Sequence, residues 1–304
     1  MNKTIISIAF TALLAAGHVF AANSPADIQR MKESAAQGNQ EAQFSLSKAY
    51  YNGDGVTKNQ NKAIKLLRKA AEQGYAEAQV FLGGFYFTGD WGIDRNFQQA
   101  AMWWRKAAEQ GNIDALYFLG QYYGCEAVVE RDWVKAAKWY RKAAKQGHAG
   151  AQLEVGMCYY YGRGVEKDME KAIKWYREAA EQGNIASQFI LGTLYYSGKG
   201  VEKDLQQAVK WYRRAAKQGL AEAQRLLGFC YYCGTGVEKD VQQAAMWYRK
   251  AAEQGDAQAQ ACLGLCYEKG EGVLMNIQMA VMWYRLAANQ GHTKAQEALQ
   301  RLGL

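Results

Sequence analysis

Apolar side chains recur along this chain with helical spacing, and each helical stretch ends in a Gly-punctuated polar break. Residues 183–219 show the unit. Ser187, Leu191 and Tyr195, with Leu194 alongside, form a stripe at three- and four-residue intervals, the periodicity of a helix face. Tyr196-Ser197-Gly198-Lys199-Gly200-Val201 then reads as a turn. Asp204 follows as an N-cap, with Gln207 three residues on in the manner of a capping box. Ala208, Trp211, Tyr212 and Ala215 form a second stripe. Gly219 closes it, where a left-handed residue is needed and the absence of a Cβ removes the clash.

The unit repeats. Ala-Ala-x-Gln-Gly occurs seven times after a shortened copy, Ala35-Ala36-Gln37-Gly38, and the closing glycines are spaced 36 residues apart, with a single interval of 37. A fixed period in this range is the mark of a repeat architecture. The units run 39–74, 75–111, 112–147, 148–183, 184–219, 220–255 and 256–291. Asn59, Asn96, Asp132, Asp168, Asp204, Asp240 and Asn276 occupy one frame position, and all are strong caps, so seven second helices should start there. Leu82-Gly83, Leu119-Gly120, Leu191-Gly192, Leu227-Gly228 and Leu263-Gly264 put a glycine mid-helix at a cost of about 1 kcal/mol each, which implies a close-packed partner helix. Residues 24–38 read as an N-terminal half unit, with Ser24 as N-cap and Pro25 at the first helical position. Residues 292–304 read as a capping helix with Lys294, Glu297 and Arg301 toward water. The second unit has one extra residue, in 89–92. The third has Glu126 and Val128 in place of both turn glycines, so its turn at 124–131 should differ.

Leu191-Gly192-Thr193-Leu194-Tyr195, Gly198-Lys199-Gly200-Val201-Glu202-Lys203-Asp204 and Ala208 to Ala216, at this period, resemble the Sel-1-like repeat family over residues 39–291. The resemblance implies an all-α fold, a right-handed α/α superhelical solenoid of helix-turn-helix repeats similar to tetratricopeptide arrays. It also implies a scaffold that binds a protein or peptide, as bacterial members do in the cell envelope. A cysteine-rich branch of the family is linked to weak β-lactam hydrolysis, so an envelope hydrolase of β-lactam or peptidoglycan-related substrates is the alternative. A secreted host-interaction factor is a third.

Residues 1–21 read as a cleavable secretory signal: Lys3, an apolar Ile5 to Ala16 too short to span a bilayer, and Val19-Phe20-Ala21 before the cut. A periplasmic or secreted location follows, with residues 22–304 as one domain and no membrane span. Losing Lys3 with that segment lowers the formal charge from +8 to +7. The excess of Lys and Arg is spread over every unit, which suits a solvated face better than a nucleic-acid groove, so no nucleic-acid partner is expected. One Pro, 22% charged and 49% apolar residues exclude collagen-like and disordered chains. A monomer is expected.

Six cysteines in an exported chain suggest disulfides. Cys125–Cys158 and Cys233–Cys266 are both 33 residues apart in equivalent frame positions, and Cys230–Cys262 remain. Bridges between neighbouring first helices are the favoured reading, with Gly120, Gly156, Gly228 and Gly264 supplying closeness. Free thiols stay open, as does a zinc or redox role for Cys230-x-x-Cys233. No catalytic group, cofactor or metal site emerges. Ser45-Leu46-Ser47-Lys48 has the Ser-x-x-Lys spacing of penicillin-recognising enzymes without its companion motifs. His148 and His292 read as exposed cap residues, and the Gly-x-Gly turns join helices, unlike nucleotide loops.

The Trp-Tyr pairs at 139–140, 175–176, 211–212, 247–248 and 283–284 are unchanged from unit to unit, which suits core packing. The Arg two positions after each Trp should bond a nearby carbonyl or carboxylate. Recognition should vary instead. In tetratricopeptide-like arrays the first helices line the concave face. A variable stripe there runs Phe44, Val80, Tyr117, Leu153, Phe189, Arg225, and seven residues on lie Tyr51, Phe87, Tyr160, Tyr196 and Tyr232. These predict an aromatic, mildly basic groove for an extended or helical peptide.

Overall fold

The computed structural model describes residues 24–90, 92–125 and 130–304. The expected signal segment, Trp91 and residues 126–129 of the altered turn lie outside the described residues. Among these there are sixteen helices and no strands. The chain forms two compact units, one ending at Lys167 and the other starting at Asp168.

The first unit holds α1 (Pro25–Ala36), α2 (Gln40–Asn52), α3 (Gln60–Glu72), α4 (Ala76–Thr88), α5 (Phe97–Glu109), α6 (Ile113–Gly124), α7 (Trp133–Lys145) and α8 (Ala149–Tyr161). The second holds α9 (Met169–Glu181), α10 (Ile185–Ser197), α11 (Leu205–Lys217), α12 (Ala221–Cys233), α13 (Val241–Glu253), α14 (Ala257–Lys269), α15 (Ile277–Asn289) and α16 (Thr293–Arg301). Within each unit every helix packs on the next in sequence. Contacts are thus local, as in a solenoid.

The boundaries follow the sequence chemistry. All seven predicted Asn and Asp caps accept a backbone N–H three residues on, Asp204 from Gln207 at 2.9 Å for example. Ser24 and Asp27 form a full capping box at the start of α1, with Pro25 next. First helices mostly end on left-handed glycines, such as Gly198 at φ +72. His148 and His292 are caps too, each Nδ1 accepting from the N–H three residues on, but both are half-buried rather than exposed.

The mid-helix glycines have a specific partner. A Cβ on Gly192 would lie 2.6 Å from Cδ1 and Cε1 of Tyr212, and Gly83, Gly120, Gly228 and Gly264 meet Trp104, Tyr140, Tyr248 and Tyr284 in the same way. Each missing Cβ therefore makes room for the aromatic ring of the second helix in its own repeat. The closeness these glycines give is not directed at the neighbouring first helix, as the disulfide reading had it. The predicted Trp-Tyr core holds for the tyrosines: Tyr140, Tyr176, Tyr212, Tyr248 and Tyr284 are all buried. Trp211, Trp247 and Trp283 are buried as well, whereas Trp139 and Trp175 stay half-buried.

Two hydrogen-bond ladders join the helices. At four of these positions the Arg bonds a tyrosine hydroxyl instead of the expected carbonyl or carboxylate. Arg105, Arg177, Arg213 and Arg249 donate to the hydroxyls of Tyr123, Tyr195, Tyr231 and Tyr267, at 2.7–2.9 Å, each on the first helix of the next repeat. Buried glutamines make the second ladder. Gln224 donates to Ala216 O at 3.1 Å and accepts from Gln254 at 2.8 Å, and Gln260 with Gln290 repeats this. In the third repeat Leu116 replaces the glutamine, and the ladder is interrupted there.

Candidate functional site

With second helices and glycines engaged in packing, the variable positions left are on the first helices. The structure divides the predicted stripe. Phe44, Val80 and Phe87 are buried: Phe44 packs on Tyr75 and Phe81 at 5.4 and 5.1 Å, and Phe87 on Phe97 and Trp104 at 5.2 and 5.6 Å. They belong to the core of the first unit. Tyr51, Tyr117, Leu153, Phe189, Arg225, Tyr160, Tyr196 and Tyr232 keep partial exposure.

In the second unit these positions enclose space. Tyr196, Arg225, Cys230 and Cys262 line a cavity of about 220 Å³ with Tyr248 and Phe229. Phe229 is 41% exposed, an unusual state for a large ring and the clearest anchor point on this face. A second cavity of about 490 Å³, between α14 and α16, shares Gln258 and Cys262 with the first and adds Leu265, Tyr284, Lys294 and Arg301. The basic character is less than the sequence suggested. Arg225 pairs with Asp256 at 3.2 Å, and Arg301 with Glu268 at 2.6 Å. Tyr232 donates to Glu271 at 2.6 Å, which helps push its hydroxyl up to about 12.

Sequence reasoning missed Phe229. It sits four residues after Arg225, at a frame position holding Lys48, Gly84, Gln121, Met157, Thr193 and Leu265 elsewhere. The variability that selected Arg225 would have selected this position too. In the first unit the same step finds Gln121, whose Nε2 donates to the Tyr117 hydroxyl at 2.6 Å while the Tyr117 ring stacks on His148 at 4.4 Å.

All six cysteines are thiols in this structure. Cys233 is exposed, Cys262 half-buried, and the rest are buried. Burial pushes Cys158 and Cys266 up to about 12 and Cys230 to about 11, which disfavours the thiolate needed for nucleophilic or metal-binding chemistry. No group of three or more His, Cys, Asp or Glu able to hold a metal occurs among the described residues. At the Ser-x-x-Lys motif, Ser47 is tied to Ala63 O at 2.8 Å and the Lys48 ammonium lies over the Phe44 ring at 4.9 Å. Among the described residues no helix is long and apolar enough to cross a membrane.

An array of helix pairs that uses its repeated residues for packing and leaves part of its variable first-helix positions exposed is a repeat scaffold of the kind suited to protein recognition. The chain belongs to the Sel1 repeat family: the repeat matches seven times, at residues 40–75, 76–112, 113–148, 149–184, 185–220, 221–256 and 257–292. Two crystal structures are similar over nearly the whole chain. One is c5321, a protective antigen of uropathogenic Escherichia coli strains displaying an SLR fold, 37% identical with a TM-score of 0.86 over 90% of this chain. The other is a Sel1 repeat protein from Oxalobacter formigenes, also 37% identical, with a TM-score of 0.75 over 91% of this chain and 80% of that one. The match spans 59% of the length of c5321. No curated protein sequence matches the chain.

Proposed function

We propose that this protein is an exported scaffold of the bacterial cell envelope that holds a segment of a partner protein along its first-helix face, without chemistry of its own. The observation that carries the reading is the half-exposed aromatic lining of the second-unit cavity, Tyr196 and Phe229 around Arg225. Aromatic rings bury large area at low entropic cost, and anchors of this type dominate binding energy at interfaces. Export is supported by the N-terminal pattern around Lys3 and the Ile5 to Ala16 run. In an oxidising compartment Cys125–Cys158, Cys233–Cys266 and Cys230–Cys262 would be the pairs to bridge.

The test is cross-linking capture from envelope extracts with the parent protein and with a Tyr196→Ala/Phe229→Ala variant. The variant should remain helical and lose the captured partner. Undiminished capture overturns the assigned face, and recovery of the chain in the cytosolic fraction with residues 1–21 intact overturns the location.

A further inference from the structure

Departures from the repeat pattern meet at one place in the first unit. Residue 154 is the only charged one at its frame position, where the other repeats have Ser45, Phe81, Phe118, Ile190, Leu226 and Cys262. The contact that fixes its surroundings is between Gly150 and Tyr117: a Cβ on Gly150 would lie 3.4 Å from Tyr117 Cζ. Residues 33 apart on α6 and α8 therefore face each other. One helical turn on, the same offset carries Glu154 toward Gln121, and the Glu154 charge acts on the Tyr117 hydroxyl that Gln121 bonds.

Gln121 is only 5% exposed, and its two amide atoms fare differently. Nε2 is committed to the Tyr117 hydroxyl, and Tyr117 is itself held against His148. Oε1 has no hydrogen-bond partner. A buried acceptor left without a donor is rare and costly in folded proteins. On the facing turn of α8 stands the half-buried Glu154 carboxyl, which burial pushes up to about 7, with Arg163 offsetting part of the effect. Arg163 is itself occupied, its guanidinium over the rings of Tyr161 at 4.6 Å and Trp133 at 5.0 Å. Once Glu154 is ionised, two acceptors face the same side of the α6–α8 seam, where water is scarce. One kind of group satisfies both, a cation carrying several N–H donors on a long apolar stem.

We propose that Gln121 and Glu154 form the subsite for a lysine or arginine side chain of the bound protein segment, its N–H groups donating to the Gln121 carbonyl and the Glu154 carboxylate. Tyr117, Leu153 and Glu154 keep partial exposure on this face. The apolar stem of the side chain would lie along Leu153, and the orphaned amide oxygen would gain its donor. This deepens the protein-binding reading and rests on it.

The full chain is titrated with Nα-acetyl-lysine methylamide and, separately, with its norleucine analogue, following the Gln121 side-chain amide and the Glu154 carboxyl carbon by NMR. Tyr117, Tyr140 and Cys158 titrate far above Glu154, and His148 is followed by its own ring signals, so the carboxyl midpoint is read cleanly. The lysine probe should shift both signals saturably and lower the Glu154 midpoint by about one pH unit, a factor of ~10 in preference for the ionised form. Norleucine, which lacks the ammonium donors, should shift neither signal saturably and leave the Glu154 midpoint in place. Glu154→Gln and Gln121→Leu should each lose most of the lysine response. Equal response to norleucine overturns the proposal. So does a carboxyl midpoint that lysine leaves in place, the result expected if the Gln121 amide already satisfies Glu154. In cross-linking capture, loss of the partner with Tyr196→Ala/Phe229→Ala but not with Glu154→Gln would leave the scaffold reading standing and remove this one.

Discussion

Replacing Gly192 by Ala tests whether the mid-helix glycines exist for packing. In isolation the change should help, because Gly in a helix interior costs about 1 kcal/mol relative to Ala. Here the new Cβ would sit 2.6 Å from two ring carbons of Tyr212 and 3.2 Å from a third. The ring is held by the same helix that would push it. It packs on Phe189 at 6.0 Å, and its hydroxyl lies 3.4 Å from Thr193 Oγ1. It is 2% exposed, with the fully buried Leu191 close in sequence to the glycine. Moving it means separating α10 from α11. Overpacking of this kind costs roughly 1–3 kcal/mol, so after the propensity gain of about 1 kcal/mol the substitution should destabilise the second unit by up to about 2 kcal/mol. Urea unfolding gives the total, and hydrogen exchange localises the loss to α10 and α11, since a repeat array spreads a defect only to neighbours. The series Gly120, Gly192 and Gly228→Ala should rank in that order, because the approach to the ring is tightest at Gly120 and loosest at Gly228. A rise in stability for Gly192→Ala, or no ranking across the series, refutes the packing argument.

Three further outcomes follow from other features. Asp204→Ala removes the acceptor for Gln207 N–H and should destabilise α11 by about 1 kcal/mol in urea unfolding, whereas Asp204→Asn should cost little. Glu154 has a folded pKa raised to about 7 from 4.5, so the folded state binds the extra proton. Stability should therefore be highest below the unfolded value and fall as pH rises from about 4.5 to 7; with partial exposure discounted, the fall is roughly 2 kcal/mol at about 1.4 kcal/mol per pKa unit. Glu154→Gln should abolish that fall and raise the melting temperature at pH 8, which differential scanning calorimetry across pH would read. In reduced native protein, maleimide should label exposed Cys233 first and leave Cys158, Cys230 and Cys266 unmodified until unfolding, as peptide mapping would show.

What the sequence made legible and what it hid differ for physical reasons. Asp204 and its six equivalents announce helix starts because capping is a local interaction within three residues, and the spacing of the closing glycines counts the repeats directly. Gly192 announces that something approaches but not what, since its partner Tyr212 lies twenty residues on and the choice between the helix of its own repeat and the next is tertiary. The buried glutamines were invisible as core because their residue type reads as solvated; only a facing carbonyl such as Ala216 O makes Gln224 an interior residue.

The binding face was half legible, for a related cause. Variation along the stripe reads as availability. At Phe44, however, the first helix alongside takes up the varied side chain, since Phe81 covers it, and Val80 is buried as well. Repeat proteins can vary a buried position whenever the neighbouring repeat co-varies, so variability alone does not separate surface from seam. Exposure against residue type separates them. Phe229 is an apolar ring left open, Glu154 a carboxyl partly shut in, and Gln121 an amide shut in with one atom unanswered. Each is a local loss of stability that the rest of its repeat does not repair. In a fold where seven copies of one unit show how such positions are normally filled, those departures stand out against the repeat.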